Sequence, residues 1–136
     1  MAWSGFVRVR KDDGIAVILC PDLQSVCGEL AKGNLLDPLY TTTSGPISPI
    51  DILYGYRKAI AQGNEYMAHK GGFTYSVLKG AFEEAGFKLH YGGTNPSAYE
   101  LFIVSFKQNI SEEEAINNGK LFLPPNYSWK KHTKET

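Results

Sequence analysis

The segment from Tyr54 to Lys70 holds most of the side chains in this chain that could take part in chemistry. His69, which precedes Lys70, could act as a general base toward a substrate hydroxyl or amine, because histidine titrates near neutral pH. It could also be a polar loop residue whose ring is hydrogen-bonded to the backbone, since no second catalytic group stands beside it. The sequence leaves both interpretations open and makes His69 the candidate catalytic residue.

A candidate substrate-binding group precedes His69. Tyr54, Tyr56 and Arg57 fall close together on one predicted helix, and Arg57 with Asn64 could bind a carboxylate or phosphate of a small molecule. A helix end that faces the surface would carry the same residue types. Met67 is expected in the core or in a pocket wall. The candidate substrate-binding residues are Tyr54, Arg57, Asn64, Met67 and Lys70.

The sequence predicts neither a metal site nor a cofactor loop. Of the other histidines, His90 lies in a predicted strand and His132 near the end of the chain, so no histidine pair has the spacing of metal ligands. Gly71-Gly72 and Gly92-Gly93 are glycine pairs in predicted loops, and neither follows a strand and opens a helix as a phosphate-binding loop does. We therefore expect no metal, and no cofactor held by this chain alone.

Composition indicates a single domain without a polyanionic partner. The chain has 136 residues, 43% of them apolar, which is enough for one hydrophobic core. Its 14 lysines and arginines balance 14 aspartates and glutamates, so it lacks the one-sided positive charge that nucleic acids and anionic membranes select. With no apolar run long enough to span a bilayer and no visible export signal, we expect a cytoplasmic protein without membrane or nucleic-acid partners. Cys20 and Cys27 are expected to be buried free thiols.

The first predicted element is the apolar run Ile15 to Cys20, which is typical of a strand buried on both faces, as in a parallel sheet covered by helices. Asp22 is the expected N-cap of a helix that ends at Gly33. Residues 34–48 are predicted to form a long loop, and long loops in compact domains often carry function. The apolar face of the helix comprises Leu23, Val26, Cys27 and Leu30.

Further helices and strands follow. Ser48 with Pro49 begins a helix predicted to run to about Gln62, with Ile50, Leu53, Tyr54 and Ile60 on its buried side. Thr74 begins a strongly amphipathic helix that ends before Gly86. The strands Phe87 to Tyr91 and Glu100 to Phe106 come next, joined by a reversal over Gly92 to Pro96, and Ser111 with Glu114 forms a capping box for a short last helix. Residues 1–14 fit either the end of an amphipathic helix or the first strand of a hairpin.

Several of these segments resemble class I S-adenosylmethionine-dependent methyltransferases. Residues 6–18 (FVRVRKDDGIAVI) resemble the junction between a helix and the fifth sheet strand of that family, with Asp12-Asp13-Gly14 in place of its Pro-Gly-Gly turn. The stretch from His69 to Thr74, followed by Ala85-Gly86-Phe87, is similar to the segment leading into the family's last helix and sixth strand. Residues 45–69 are similar to an insertion in one uncharacterised bacterial subgroup. The resemblance covers about residues 5–106 and favours the helix end for residues 1–14.

The resemblance implies a partial Rossmann-like α/β fold with about three main strands, the last antiparallel, and flanking helices. Residues 1–106 would form the C-terminal half-domain of a methyltransferase, and residues 107–136 a short helix with an extended tail. The glycine-rich turn and the acidic residue that bind the cofactor in this family lie upstream of the matched region. In the complete fold the fifth strand lies between the fourth and the seventh, so the edge of Ile15 to Cys20 would be open.

Two hypotheses about function follow from this resemblance. In the first, the half-domain has no catalytic activity alone and acts as a binding or interaction module, forming a homodimer or joining a complementary methyltransferase half through the edge of Ile15 to Cys20. In the second, it is part of a split or dimeric methyltransferase acting on a small molecule, with S-adenosylmethionine bound only if a partner supplies the missing half. A small-molecule binder that uses residues 34–48 together with Tyr54, Arg57 and Asn64 is a third, weaker interpretation.

Overall fold

A computed structural model of the chain describes residues 14–121. Five helices, five strands and one 3₁₀ turn are present in this range. In chain order they are β1 (Ile15–Pro21), α1 (Leu23–Ala31), β2 (Tyr40–Thr42), β3 (Gly45–Ile47), α2 (Pro49–Tyr54), α3 (Arg57–Ala61), the 3₁₀ turn (Glu65–Met67), α4 (Tyr75–Glu84), β4 (Leu89–Asn95), β5 (Glu100–Phe106) and α5 (Glu112–Lys120).

The main sheet has the order β1-β5-β4, and β5 runs antiparallel to both neighbours. This confirms the prediction of a mixed α/β fold with three main strands, the last of them antiparallel and flanked by helices. β5 lies at the centre, and its residues from Leu101 to Phe106 are buried, as expected for a nearly continuous apolar run. β2 and β3 form a separate two-stranded sheet within the stretch predicted to be one long loop.

Each face of the main sheet carries its own hydrophobic cluster. On one face Val17, Val104 and Tyr91 occupy one row across the three strands, and Ala115 of α5 packs in the same cluster. The other face is covered by α4, whose Leu78 joins a second cluster. Its sheet residues are Ile18, Leu101 and Ile103. β1 is therefore buried on both faces as predicted, although its neighbour β5 is antiparallel rather than parallel.

The predicted helix from Ser48 to Gln62 is wrong, because the chain breaks it at Gly55 into α2 and α3. Gly55 has φ +102°, which favours glycine, and a Cβ atom there would overlap the backbone carbonyl of Met67. The break also changes the buried side of α2. Its buried residues are Pro49, Asp51 and Ile52, whereas Ile50, Leu53 and Ile60 are half-buried and Tyr54 is exposed.

Two further predictions are corrected. Gly92 and Gly93 lie within β4 rather than in a reversal, and the chain turns between Asn95 and Glu100 instead. Cys27 is exposed and Cys20 is half-buried, so neither is a fully buried thiol. The choice between helix and hairpin for residues 1–14 depends on residues 1–13, which lie outside the described residues, as does the end of the chain with His132. None of the helices in residues 14–121 combines the length and apolar character needed to cross a membrane.

Candidate functional site

Asp51 organises the region that contains most of the predicted site residues. The residue is 5% exposed, and its carboxylate accepts hydrogen bonds from the Ser48 N–H at 3.0 Å and from Arg57. Arg57 donates to Oδ1 from its backbone N–H at 3.1 Å and from Nε at 2.8 Å. Burial alone would raise the pKa of Asp51, but the hydrogen bonds from Arg57 and Ser48 outweigh it and the pKa lies below its usual value.

The ion pair with Asp51 limits what Arg57 can offer a ligand. Its Nε and Nη2 atoms both face the Asp51 carboxylate, and only about half of the Arg57 side chain is exposed. The sequence analysis did not anticipate that Asp51 would pair with Arg57. The spacing of Asp51 and Arg57 in the sequence does not indicate this ion pair, because the two side chains meet only through the break of the helix at Gly55.

His69 is held against α2 by two contacts to backbone carbonyls. Its own N–H donates to the Tyr54 carbonyl at 3.1 Å, and its ring Nδ1 lies 2.8 Å from the Ile52 carbonyl. Because a carbonyl oxygen can only accept, Nδ1 must carry the proton, and Nε2 of the neutral ring is left as an acceptor. This tautomer suits a general base. The same contact to Ile52 is expected if His69 is only a polar loop residue whose ring is hydrogen-bonded to the backbone.

The other predicted site residues lie on the surface around α2 and α3. Tyr54 is 66% exposed and Met67 38%, and both Asn64 and Lys70 are exposed. The close approach at Gly55 brings Met67 next to the end of α2 and thus near Tyr54. Within residues 14–121 no side-chain hydrogen bond or ion pair links Asn64 or Lys70 to the rest of the group, so the structure assembles only part of it.

The cysteines and acidic residues do not form a metal site in the described part of the chain, where no group of three or more potential ligands meets. Cys20 lies at the end of β1, where burial, then Asp22 and Glu100, raises its pKa to about 11. At neutral pH its thiol is protonated, and the nucleophilic form is the thiolate. Cys20 is therefore not an activated nucleophile in this structure.

β1 has one edge that faces away from β5. The Lys107 N–H donates to the Gly14 carbonyl at 3.0 Å, and the Asp22 N–H donates to the Tyr99 carbonyl at 2.9 Å, so hydrogen-bonded pairs close both ends of the ladder. Because hydrogen-bonded and non-hydrogen-bonded pairs alternate in an antiparallel ladder, every second residue of β1 turns its backbone groups away from β5. These outward-facing residues are Ile15, Val17, Leu19 and Pro21.

The far end of this edge is closed. Pro21 has no N–H group. Because its backbone faces outward, no hydrogen bond between β1 and β5 is lost. Beyond it, the Leu23 N–H donates to the Phe73 carbonyl at 3.2 Å, and Asp22 forms a parallel bridge with Phe73. We call the backbone groups of Ile15, Val17 and Leu19 the outer edge of β1. Within residues 14–121 no strand pairs with it.

Sequence reasoning missed one pair of aromatic residues. Tyr40 begins β2, and Tyr99 ends the turn between β4 and β5. Their rings stack with centroids 6.5 Å apart and planes 14° apart. No periodicity links the two positions, and the only available signal was that each tyrosine borders a turn-rich segment.

Comparisons of this chain with protein-family models, curated proteins and solved structures found no match. Three structural features of this chain bear on its function: the fixed ring of His69, the outer edge of β1, and the stacked rings of Tyr40 and Tyr99.

Proposed function

We propose that this chain is an interaction module that self-associates through the outer edge of β1. The observation that carries the proposal is that this edge has no partner strand within residues 14–121. A row of unpaired N–H and C=O groups is a ready template for another strand. The residues that present it, Ile15, Val17 and Leu19, are aliphatic, and the two β-branched ones are strong strand formers.

A derivation from the second half of a methyltransferase fold is part of this proposal. By this resemblance β1 corresponds to the fifth strand and β5, Glu100–Phe106, would be the seventh; the fifth and seventh strands are neighbours in the complete fold. The pairing of β1 with β5 supports this assignment. In the complete fold the fourth strand lies on the opposite edge of the fifth, which corresponds to the outer edge of β1. A second copy of the chain would take the place of that missing strand.

The register of β1 favours a symmetric, antiparallel pairing of two copies. With Val17 opposite Val17 of the second copy, Ile15 faces Leu19 and every outward-facing group meets an outward-facing group. Each such pair exchanges both backbone hydrogen bonds, and the sheets of the two copies become one continuous sheet. The same surface serves both copies, as a two-fold dimer requires.

Light scattering of the full chain at micromolar concentration tests the proposal. We expect twice the monomer mass of 15.1 kDa. A monomer at this concentration would contradict self-association. Purification from the native host provides a second outcome, because capture of a chain carrying a glycine-rich methyltransferase first half, with no homodimer, would replace the second copy by a complementary half.

A second candidate function is that of a split or dimeric methyltransferase acting on a small molecule, with His69 as the base. The Nδ1 contact to Ile52 is consistent with this candidate because it leaves Nε2 of His69 as an acceptor. Thermal melting with and without S-adenosylmethionine separates the two candidates. The interaction module predicts no stabilisation, whereas a rise in melting temperature that saturates with the methyl donor would favour the enzyme.

A further inference from the structure

One face of the main sheet buries two polar side chains beneath α4. His90 of β4 is 8% exposed and Ser105 of β5 is fully buried. They stand side by side in a row that Ala16 of β1 completes. Next to this row lies the apolar cluster that contains Leu78 of α4. A titratable ring therefore lies inside the layer that attaches α4 to the sheet.

Hydrogen bonds satisfy only one side of the His90 ring. Its Nδ1 lies 2.8 Å from the Ser105 hydroxyl oxygen, whereas its Nε2 has no hydrogen-bond partner among residues 14–121. The neutral ring carries one N–H, but the protonated ring carries an N–H on both nitrogens. The Ser105 hydroxyl can accept only from Nδ1. Proton uptake would therefore leave a buried cation with one N–H that has no acceptor, which is costly.

The charged groups that face His90 come from α4. Burial has the largest influence on the pKa of His90 and lowers it, while Glu83 raises this pKa and Lys79 lowers it. The Phe87 carbonyl also raises it, but does not complete a hydrogen bond with Nε2. In the row of the sheet that holds His90, the neighbouring side chains of β5 and β1 are uncharged. The closed structure therefore binds the proton less tightly than a structure in which water reaches the ring.

α4 has features that weaken its attachment to the sheet. Leu78 is its only fully buried residue. The side chain of its N-cap, Thr74, makes no capping hydrogen bond, and the helix has no acidic residue in its first turn and no basic residue in its last turn. Gly80 lies within the helix, where glycine is less favourable than alanine. A segment with few buried contacts opens at a lower free energy than the whole domain.

We propose that His90 is a pH-sensitive switch: proton uptake by its ring releases α4 from the main sheet, while β1 and β5 stay paired. Release admits water to Nε2, and water supplies the missing acceptor. Because the released form binds the proton more tightly, the closed form is most stable above the ordinary histidine pKa of 6.5 and loses stability as the pH falls below it, toward the lower pKa of the closed form. Release uncovers the apolar side chains of Ile18, Leu101 and Ile103. The switch does not depend on self-association through the outer edge of β1.

Amide hydrogen exchange of the full chain at about pH 7.5 and about pH 5 tests the switch, with the rates corrected for the intrinsic effect of pH. From the higher to the lower pH, we expect the protection of amides 78–82 in α4 to fall at least about threefold more than that of amides 101–104 in β5. In His90→Asn, whose side chain takes up no proton, this difference should disappear. An equal fall in both elements, or a difference that persists in His90→Asn, would overturn the proposal.

The variants Lys79→Gln and Glu83→Gln test the source of the effect and leave the buried ring in place. Both break the same ion pair of 3.3 Å on α4, so protection at about pH 7.5 should fall alike in the two variants. They change the charge around His90 in opposite directions. Without Lys79 the closed form accepts the proton more readily, so the loss of α4 protection in acid should be smaller, and without Glu83 it should be larger. Equal losses in the two variants, or the opposite order, would also refute the switch.

Discussion

The two edges of the main sheet are built from different residues. Alternation along β5 turns the backbone groups of Tyr91 and Gly93 toward the sheet, and those of the intervening residues of β4 away from it. The outward-facing residues of β4 are His90, Gly92 and Thr94, whereas those on the outer edge of β1 are Ile15, Val17 and Leu19. One edge thus carries glycine and polar residues, and the other carries aliphatic residues only.

Aromatic rings lie against the two glycines of β4, Gly92 and Gly93. A Cβ atom on Gly92 would lie 2.6 Å from Cε2 of Tyr75, so the tyrosine ring covers that glycine directly. On the opposite face the ring of Phe102 lies beside Gly93. Glycine weakens a strand as a pairing partner, because it adds no side-chain contacts and loses more entropy on ordering. This sheet therefore has one edge suited to pairing and one that is not.

The variant Leu19→Pro is expected to have the largest effect on this comparison. Proline removes the outward N–H of Leu19 and places its ring where a second strand would pair, while the bonds from β1 to β5 are kept. Both copies of the proposed dimer carry the change, so we expect this dimer to dissociate at least about a hundredfold more readily. Light scattering across a concentration series measures this.

Thr94→Pro is the matched control for the other edge. Thr94 is exposed and its backbone also faces outward, so proline removes an equivalent group from β4. The mass measured for this variant should equal that of the unmodified chain. If Thr94→Pro dissociates the dimer and Leu19→Pro does not, the two edges have been assigned the wrong way round.

Alanine substitution in the glycine pair is expected to have the next largest effect. In Gly92→Ala the new Cβ meets the Phe102 carbonyl and the Tyr75 ring, and we expect the free energy of unfolding to fall by about 2 kcal/mol. In Gly93→Ala the Cβ lies 3.6 Å from the Phe102 ring, an ordinary contact, so stability should be unchanged or slightly higher. Urea denaturation compares the two variants, and equal losses would refute the role assigned to Tyr75.

The elements with a strong local pattern were predictable from sequence. Asp22 accepts from the Gln24 N–H at the start of α1, and Ser111 accepts from the Glu114 N–H at the start of α5, as their positions in the sequence indicated. The failures involve contacts between distant segments. Gly55 breaks the predicted helix because Met67 packs against it, and Gly92 continues a strand because Tyr75 covers it. Neither partner can be found by examining residues near the glycine.

The candidate site was predictable to a smaller extent. Its residue types around His69 were recognised, but the engagement of Arg57 with Asp51 and the stacking of Tyr40 on Tyr99 depend on tertiary structure. The catalytic and substrate-binding roles assigned from sequence stay predictions. Periodicity places side chains on faces of single elements, whereas the ring pair is created by two turns that meet beyond the end of β1.

The two edge strands differ in a further way. β4 carries a histidine, His90, whose side chain lies beneath α4. It is 8% exposed, and its Nδ1 lies 2.8 Å from the Ser105 hydroxyl oxygen in the same row of the sheet. Its Nε2 has no hydrogen-bond partner among residues 14–121. Burial lowers the pKa of His90, and Lys79 of α4 lowers it further, while Glu83 and the Phe87 carbonyl act in the opposite direction.

The lowered pKa of His90 predicts a loss of stability in mild acid, the smallest of the expected effects. Since the unfolded chain binds the proton first, this contribution is present above about pH 6.5 and is lost as the pH falls through that value toward the folded pKa. Asp51, whose pKa is also lowered, acts in a separate window below about pH 4. His90→Asn keeps a polar atom near Ser105 and does not titrate. Urea denaturation between about pH 7.5 and 5.5 should therefore reveal a decline in the unmodified chain that is smaller in the variant, and parallel curves would show that His90 is not its source.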